Sequence, residues 1–532
     1  MIAIREAQES DVPAIHDIFV AVYGSDYCFP EFYDEQFLKK MVFADDTLVL
    51  VAEDPTLGGV VGTGSVLLET GAHSDLVAEF GRLAIHPKAQ GRGIGGRIMQ
   101  ARIEQVHDRL HVGFVEGRVA HFYSSQNAEH YGFAAVGFLP LKLRLGERES
   151  LTYQVRYFGD GLNLRKNHPR VIPEVYPLAC MAMDHLGLQG HPIIDEHSVA
   201  YPSAEDDFML ETLTTQGYAP LLRLERGRVE RREIFGPMRL HYGFFRIQAS
   251  HSTYLVARER GRIVGAIGYT VDECENTARI FELISLDDRP VRFLIGAFLD
   301  WCHSDKGVDY VEIDVSAYAP RMQRTFIELG FIPAAYVPAL AFHRSERLDV
   351  IKMVSLFVPA GDETLALIPS MQRIQDVVMR SWATRTVAPK IGAAIHQAAL
   401  FQGLTDDQAG RVARVGTFAM FHPGERIYSE GTPADALFAV LDGEIAITMG
   451  PASVRVGTVS AGECLGEVSL LLGGSHTASA VAASPVEVGV FRHAELSDLV
   501  RRRPDIGVVL YRNLGRGLGR KLKRSDDSFI RE

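Results

Sequence analysis

An apolar, strand-like run from Phe80 to Ile85 leads directly into His86-Pro87-Lys88-Ala89-Gln90-Gly91-Arg92-Gly93-Ile94-Gly95-Gly96. A helical pattern follows, with Met99, Ile103, Val106 and Leu110 on one face. The four glycines between positions 91 and 96 leave backbone N–H groups unshielded where a helix N-terminus adds its positive dipole end. A strand, a tight glycine turn and a helix in this order require an α/β arrangement, and the turn suits a pyrophosphate. Dinucleotide-binding folds use a similar turn. Here, however, the order is Gln90-x-x-Gly93-x-Gly95, and no carboxylate stands about 20 residues further on at the end of a second strand, where a ribose would need it.

At 532 residues the chain exceeds a single core, so roughly three domains are expected. The net charge of -12 argues against a general affinity for nucleic acid or anionic membranes. No apolar run approaches the ~20 residues that span a bilayer. The N-terminus opens with mixed charge (Arg5, Glu6, Glu9, Asp11), which is not an export-signal pattern. Cys28, Cys180, Cys274, Cys302 and Cys464 are scattered and form no C-x-x-C pair. Neither disulfides nor a metal site is expected, and the cytoplasm is the expected compartment.

Along the first 150 residues, Asp11 is placed to cap a helix through Ile15, Ile18 and Val22. Strands are expected at 47–52, 60–68, 80–85, 113–120 and 138–145. A middle segment, 151–365, repeats this order of elements. It has a hairpin around Gly261, a strand at 280–286, a helix from Val291 to Cys302, a strand at 310–315, and a Leu329-Gly330-Phe331 that echoes Val136-Gly137-Phe138. Residues 366–397 read as a helical linker. From 398 to 532 short strands alternate with glycine turns, suggesting a small β-roll. A helix carrying Arg512, Arg516, Arg520, Lys521, Lys523 and Arg524 closes the chain.

With its lead-in Leu83-Ala84-Ile85-His86-Pro87, the glycine loop resembles motif A of the GNAT acyltransferase superfamily. "IREAQESDVPAIHDIF" and "SSQNAEHYGFAAVGF" resemble that family's opening and its last motif, over roughly residues 1 to 150. The resemblance implies acetyl-CoA or another acyl-CoA as cofactor and an amine acceptor, a protein lysine or a small molecule. It assigns Leu83 and Ile85 to the pantetheine arm, and Gln90, Gly91, Gly93, Gly95 and Gly96 to the pyrophosphate. Direct transfer needs a base and often a proton donor for the thiolate. Glu79, on the strand before the loop, is the candidate base. The family's usual tyrosine position, four residues before Gly137, holds Phe133; Tyr131 is the candidate acid, with Tyr123 as a further option. Tyr23, Tyr27, Phe29, Phe32 and Tyr33 fall where the family builds its acceptor pocket, or they are core plugs. The middle segment resembles a second, degenerate GNAT-like unit. Asp287-Asp288 stands where its loop should be and would repel a pyrophosphate. Glu282 there is expected to be structural, and the unit is expected to complete the acceptor cleft.

"FHPGERIYSEGTPADALFAVLDGEIAI" and "GECLGEVSLLLGGSHTASAVAASPVEVGVF" resemble the cyclic nucleotide-binding domain. The resemblance assigns Gly466, Glu467, Ser475, His476 and Thr477 to its pocket and implies cyclic AMP or cyclic GMP as effector. His476 stands where the family carries arginine. Losing that charge-assisted pair costs ~1.5–3 kcal/mol, roughly 10- to 150-fold in affinity. A structural or dimerising roll is the other reading, so a homodimer is compatible with the sequence. No helix-turn-helix pattern follows the roll. The fold class expected is therefore multidomain α/β plus β: a GNAT α/β domain, a second GNAT-like α/β domain, and a cyclic-nucleotide-binding β-roll with flanking helices. The function expected is an acyl-CoA-dependent N-acyltransferase regulated through the roll. The alternative is a non-catalytic sensor of CoA and cyclic nucleotide acting on a partner protein.

Overall fold

A computed structural model describes the chain except residues 1, 25–26, 28, 69–74, 204–207, 214–232, 237–252, 359–362, 386–394, 396–397 and 530–532. Cys28 and the side chains of Arg520, Lys521, Lys523 and Arg524 thus lie outside the described residues. Two compact units make up the chain, Met1–Trp382 and Ala383–Glu532.

The first unit is organised on one 15-stranded sheet. Its N-terminal half supplies β1 (Ala3–Glu6), β2 (Thr47–Asp54), β3 (Gly59–Leu67), β4 (Val77–Ile85), β5 (Val112–Arg118), β6 (Ala134–Leu145) and β7 (Glu147–Tyr157). Helices α1 (Val12–Tyr23), α2 (Glu35–Val42), α3 (Ile94–Val106) and α4 (Tyr123–His130) accompany them. The second half supplies β8 (Arg170–Val171) and β9 (Ile193–Ile194), which pair apart from the main sheet. It continues with β10 (Met209–Leu213), β11 (Ile234–Phe235), β12 (Thr253–Glu259), β13 (Arg262–Asp272), β14 (Thr277–Ser285), β15 (Tyr310–Ser316), β16 (Ile332–His343) and β17 (Glu346–Leu356). Its helices are α5 (Tyr176–His185), α6 (Arg289–Asp300) and α7 (Pro320–Glu328), and α8 (Pro369–Thr384) follows.

Read inward from either edge, the strand order is the same. The series β1-β2-β3-β4-β5-β7-β6 is answered by β10-β12-β13-β14-β15-β17-β16. The steps β4–β5 and β14–β15 are parallel, and each is bridged by a helix, α3 or α6, as a parallel step requires. The halves join edge to edge at Gly137 and Ala335. A side chain on Gly137 would collide with Ala335, so glycine is what lets the two sheets touch there. Leu141 in β6 and Ala339 in β16 occupy equivalent bulges with φ of 49° and 50°. The repeat expected from element order is thus present in the backbone.

Three local readings differ. Asp11 precedes α1 but makes no side-chain cap; Arg5 holds its carboxylate at 2.6 Å and 2.9 Å. The charge-assisted pair outcompetes a neutral amide. Residue 150, the expected end of the first domain, lies inside β7, which pairs with both β5 and β6. The hairpin of β16 and β17 was legible only as its Leu329-Gly330-Phe331 start, because strands buried on both faces lose their alternation.

The second unit carries β18 (Gly416–Phe421), β19 (Arg426–Tyr428), β20 (Ala436–Asp442), β21 (Glu444–Met449), β22 (Val454–Ser460), β23 (Cys464–Leu465), β24 (Ser479–Ala482) and β25 (Val486–Arg492). They form two four-stranded sheets, β18-β25-β20-β23 and β19-β24-β21-β22, the expected roll. Helices α9 (Asp406–Arg414), α10 (Glu467–Leu472), α11 (His493–Arg502) and α12 (Pro504–Phe529) flank it. Leu437 and Phe491 pack with Ile506 and Leu510 to tie α12 to the sheet.

Candidate functional site

The glycine turn between β4 and α3 has left-handed backbone at Gly91 (φ 76°) and Gly93 (φ 69°), the latter immediately before the first helical residue. Nothing lies within 4 Å of where a Cβ would sit at either glycine, so the amides there open onto free space. That is the geometry an anion needs at a helix N-terminus. The helix is seated by two glycines of β3: a Cβ on Gly62 would meet Ile85 and Ile94, and one on Gly64 would lie 2.8 Å from Ile98.

An irregularity in the β3–β4 pairing, with Arg82 at φ 53°, bends β4 just before the turn. Arg102 of α3, fully buried, donates to the carbonyls of Ser65 and Gly81 at 3.0 Å and so pins the helix to this bend. Burial pulls its guanidinium down to about 9.

Against this bend lies a cavity of about 1100 Å³. Leu83, Ile85, Gln90, Gly91, Gly93, Gly95 and Gly96, all assigned to the cofactor by resemblance, line it, and so does Glu79. Glu79 Oε1 accepts from Arg82 Nη1 at 2.8 Å. A side chain on Gly81 would collide with that carboxylate, so the glycine gives Glu79 its position. Tyr131 lies beside the helix start, next to Gly96 and Asn127. Its hydroxyl faces Gly96, 3.1 Å from where a Cβ would be, and it is not among the lining residues, whereas Tyr123 is. Tyr23, Tyr27 and Phe29 line the cavity, while Phe32 is buried and packs on Phe19 and Tyr27. The aromatic group therefore divides between cavity wall and core plug.

Two residues passed over in the sequence also face the cavity. Among the described residues, Asn127 of α4 has a buried Nδ2 without a hydrogen-bond partner, and His121 has a buried Nδ1 in the same state. Asn127 lies one helical turn before Tyr131, and that spacing was the available signal.

The equivalent turn of the second half is closed. Asp287 Oδ1 accepts the Arg289 amide at 2.9 Å, and its carboxylate also pairs with the Arg289 guanidinium. Arg321 pairs with Asp288. The helix start is thus occupied by the chain's own carboxylate. Glu282 accepts the Tyr254 hydroxyl at 2.7 Å, in keeping with a structural part. Yet Thr270, Glu275, Arg279, Glu312, Asp314 and Lys352 of this half line the large cavity.

In the second unit, Gly466 (φ 80°) precedes α10, and a Cβ there would lie 2.6 Å from the Ala436 carbonyl oxygen. Only glycine brings the helix this close to β20. His476 is buried and stacks on Tyr428, ring centroids 3.7 Å apart and planes 9° from parallel. Burial lowers the His476 pKa and, with Glu467, pushes the Tyr428 hydroxyl up to about 12. Ser475 and Thr477 are exposed. A cavity of about 290 Å³ touches Glu467, Cys464, Asn513 and Leu514, but not Ser475, His476 or Thr477.

Among the described residues no helix is long and apolar enough to cross a membrane, and no group of His, Cys, Asp and Glu is arranged for a metal ion. Residues 45–133 match the family described as Acetyltransferase (GNAT) domain, and 419–503 the Cyclic nucleotide-binding domain. Glutaminase 1 of Bradyrhizobium diazoefficiens is 27% identical over 266 residues, covering 45% of this chain and 42% of the relative. The Cyclic AMP receptor protein of Thermus thermophilus is 30% identical over 131 residues, covering 24% and 58%. A solved structure titled as a putative cyclic nucleotide-binding protein from Geobacter metallireducens is 27% identical, with TM-score 0.23, covering 25% of this chain and 97% of its own. The chain spans less than two thirds of the curated relatives it matches. It carries a GNAT acetyltransferase domain within its first unit and a cyclic nucleotide-binding domain within its second.

Proposed function

We propose that the first unit is an acyl-CoA-dependent N-acyltransferase acting on an amine, and that the second unit regulates it. The observation that carries this reading is the single cavity on which Glu79 and the uncovered glycine turn both open. The residues present fit an acyl-CoA: two amides at a helix start with nothing above them, a bent β4 beside them, and the unpartnered Asn127 amide. Gly91, Gly93, Gly95, Gly96 and Gln90 would hold the pyrophosphate, with Leu83 and Ile85 along the pantetheine arm. When bound, the thioester supplies the electrophilic carbonyl and the thiolate leaving group.

Glu79 takes the proton that the acceptor's ammonium must lose before its nitrogen can attack. Arg82, whose Nη1 donates to Glu79 Oε1 at 2.8 Å, holds that carboxylate in place. As the C–N bond forms and the C–S bond breaks, the leaving thiolate needs one proton. Tyr123 lines the cavity and is better placed to donate it than Tyr131, whose hydroxyl faces Gly96. The second unit's effector is of the cyclic-nucleotide class, bound without the fixed charge of an arginine at position 476.

The test uses the full chain with acetyl-CoA and an amine panel, reading thiol release alongside thermal shift. Glu79→Gln should lower transfer about 100-fold or more, the usual worth of a positioned base, and leave the shift caused by acetyl-CoA unchanged. Absence of any shift with a CoA thioester would overturn the cofactor assignment. A shift without transfer would favour the sensor reading.

A further inference from the structure

Arg102 lines the large cavity, is fully buried, and meets no carboxylate among the described residues. Its Nη1 donates to the carbonyls of Ser65 and Gly81, both at 3.0 Å. The other edge of the guanidinium meets no oxygen among the described residues. There Nε has no hydrogen-bond partner, and Nη2 touches the Met99 thioether at 3.3 Å. The Phe80 ring lies 5.6 Å from the guanidinium carbon. Carbonyls, a thioether and a ring satisfy donors but supply no counter-charge, and a buried ion without one is strongly destabilising. Nε and Nη2 are also the parallel pair of N–H groups that grips a carboxylate in two bonds.

The other arginines and lysines of the lining are in a different state: Arg82, Arg118, Lys142, Arg279 and Lys352 each have a carboxylate partner. The place of Arg102 says which molecule brings the missing one. Read back along β4 from the glycine turn, Ile85 and Leu83 come first, then Gly81, then Glu79. On the acyltransferase reading, on which this inference rests, the pantetheine arm follows Ile85 and Leu83, and the reacting carbonyl lies within reach of Glu79. The acyl group is then beside Gly81, whose carbonyl Arg102 holds. Arg102 also belongs to the helix that opens at the turn, roughly 13 Å further along its axis than Gly93. The residue over the open edge is one that gives way: Met99 lines the cavity too, and an unbranched thioether repacks easily.

We propose that the Nε–Nη2 edge of Arg102 is a carboxylate subsite, and that the acyl donor is the CoA thioester of a short dicarboxylic acid. Arg102 holds the free carboxylate of the acyl group while its thioester carbonyl lies beside Glu79. An acetyl group is too short to supply that charge, so acetyl-CoA binds through its pyrophosphate and pantetheine alone and leaves the edge unanswered.

Calorimetry of the full chain with matched thioesters tests this: malonyl- against propionyl-CoA, succinyl- against butyryl-CoA, and glutaryl- against valeryl-CoA. Within each pair the acyl carbons are equal in number and only the terminal carboxylate differs. At least one acid should bind roughly 10-fold or more tightly than its partner, and Arg102→Gln should bring that ratio near unity. Because Arg102 also anchors the bend, Arg102→Lys is a second variant; it keeps a charge, loses the fork, and should cut the ratio severalfold. Arg82→Gln should leave the ratio unchanged, and a ratio lost there would place the carboxylate at Arg82 and overturn the assignment. Equal affinity within all three pairs, or a ratio that neither Arg102 variant moves, would overturn it as well. So would a preference for β-alanine over propylamine without any among the thioesters, which would put the carboxylate on the acceptor. If no thioester binds, neutral or acidic, the cofactor assignment itself has failed.

Discussion

At Glu275, burial pushes the carboxyl up to about 7; Lys142 opposes the shift, and Glu116, Asp272 and Glu312 add to it. The folded state therefore keeps this proton at pH values where the unfolded chain, with an ordinary carboxyl near 4.5, has lost it. Stability from this group is complete below about 4.5 and is lost as pH rises through about 7. Removing the charge should reverse that loss. Relative to wild type, Glu275→Gln should gain about 1–2 kcal/mol between pH 5 and pH 8 in denaturant melts; a pH-independent difference would contradict this. His476 is a second residue-scale case. Buried against Tyr428 and with its pKa lowered, it offers a cyclic phosphate no fixed charge. His476→Arg should tighten cyclic AMP binding roughly 10-fold or more, measured by titration calorimetry; unchanged or weaker binding would place the anion elsewhere.

At the scale of elements, the glycine turn keeps its geometry because α3 lies close to β3. Gly64 is where that closeness is set, 2.8 Å from Ile98 if a Cβ were present. Gly64→Val should push the helix away, costing about 1–3 kcal/mol through overpacking and weakening acetyl-CoA binding with it. Gly93→Val adds strain at φ 69° and covers the open amides, so it should abolish the thermal shift with acetyl-CoA while costing only about 1 kcal/mol or so of stability. A retained shift would show that the turn is not where the anion binds. The turn was legible in the sequence because its requirements are local: a strand period, glycines, then a helical period. Arg102 was not, because its function is to reach two carbonyls on other strands, and an arginine among helical residues looks like solvated surface.

Across the first unit as a whole, the decisive fact is that two units of like topology join through β6 and β16 and leave one cavity open to both. Lys142 spans that seam, 8% exposed, between Glu116 and Glu312. Burial works against its charge, yet Glu116 and Glu312 raise its pKa well above the ordinary value. Burial likewise opposes the charge on Glu312, and Lys142, Lys352 and Arg279 still hold that carboxyl well below the usual range. Replacing Lys142 with methionine would take one cation from the buried Glu312 and from the half-buried Glu116. About 3–5 kcal/mol of stability should go, read as a lowered midpoint in urea; a loss under about 1 kcal/mol would mean that the seam does not depend on this contact.

The sequence by itself determined the element order, the repeat, the glycine turn, and the roll with a histidine at position 476. Each of these depends on residues that are neighbours in the chain. Only the tertiary structure decided that Tyr131 lies beside Gly96 but outside the cavity lining, that His476 turns inward onto Tyr428, and that charged side chains of the second half line the same cavity as the first half's glycine turn. Those facts depend on side chains distant in sequence meeting in space. A pattern of spacings carries no record of which carboxylate finds which cation.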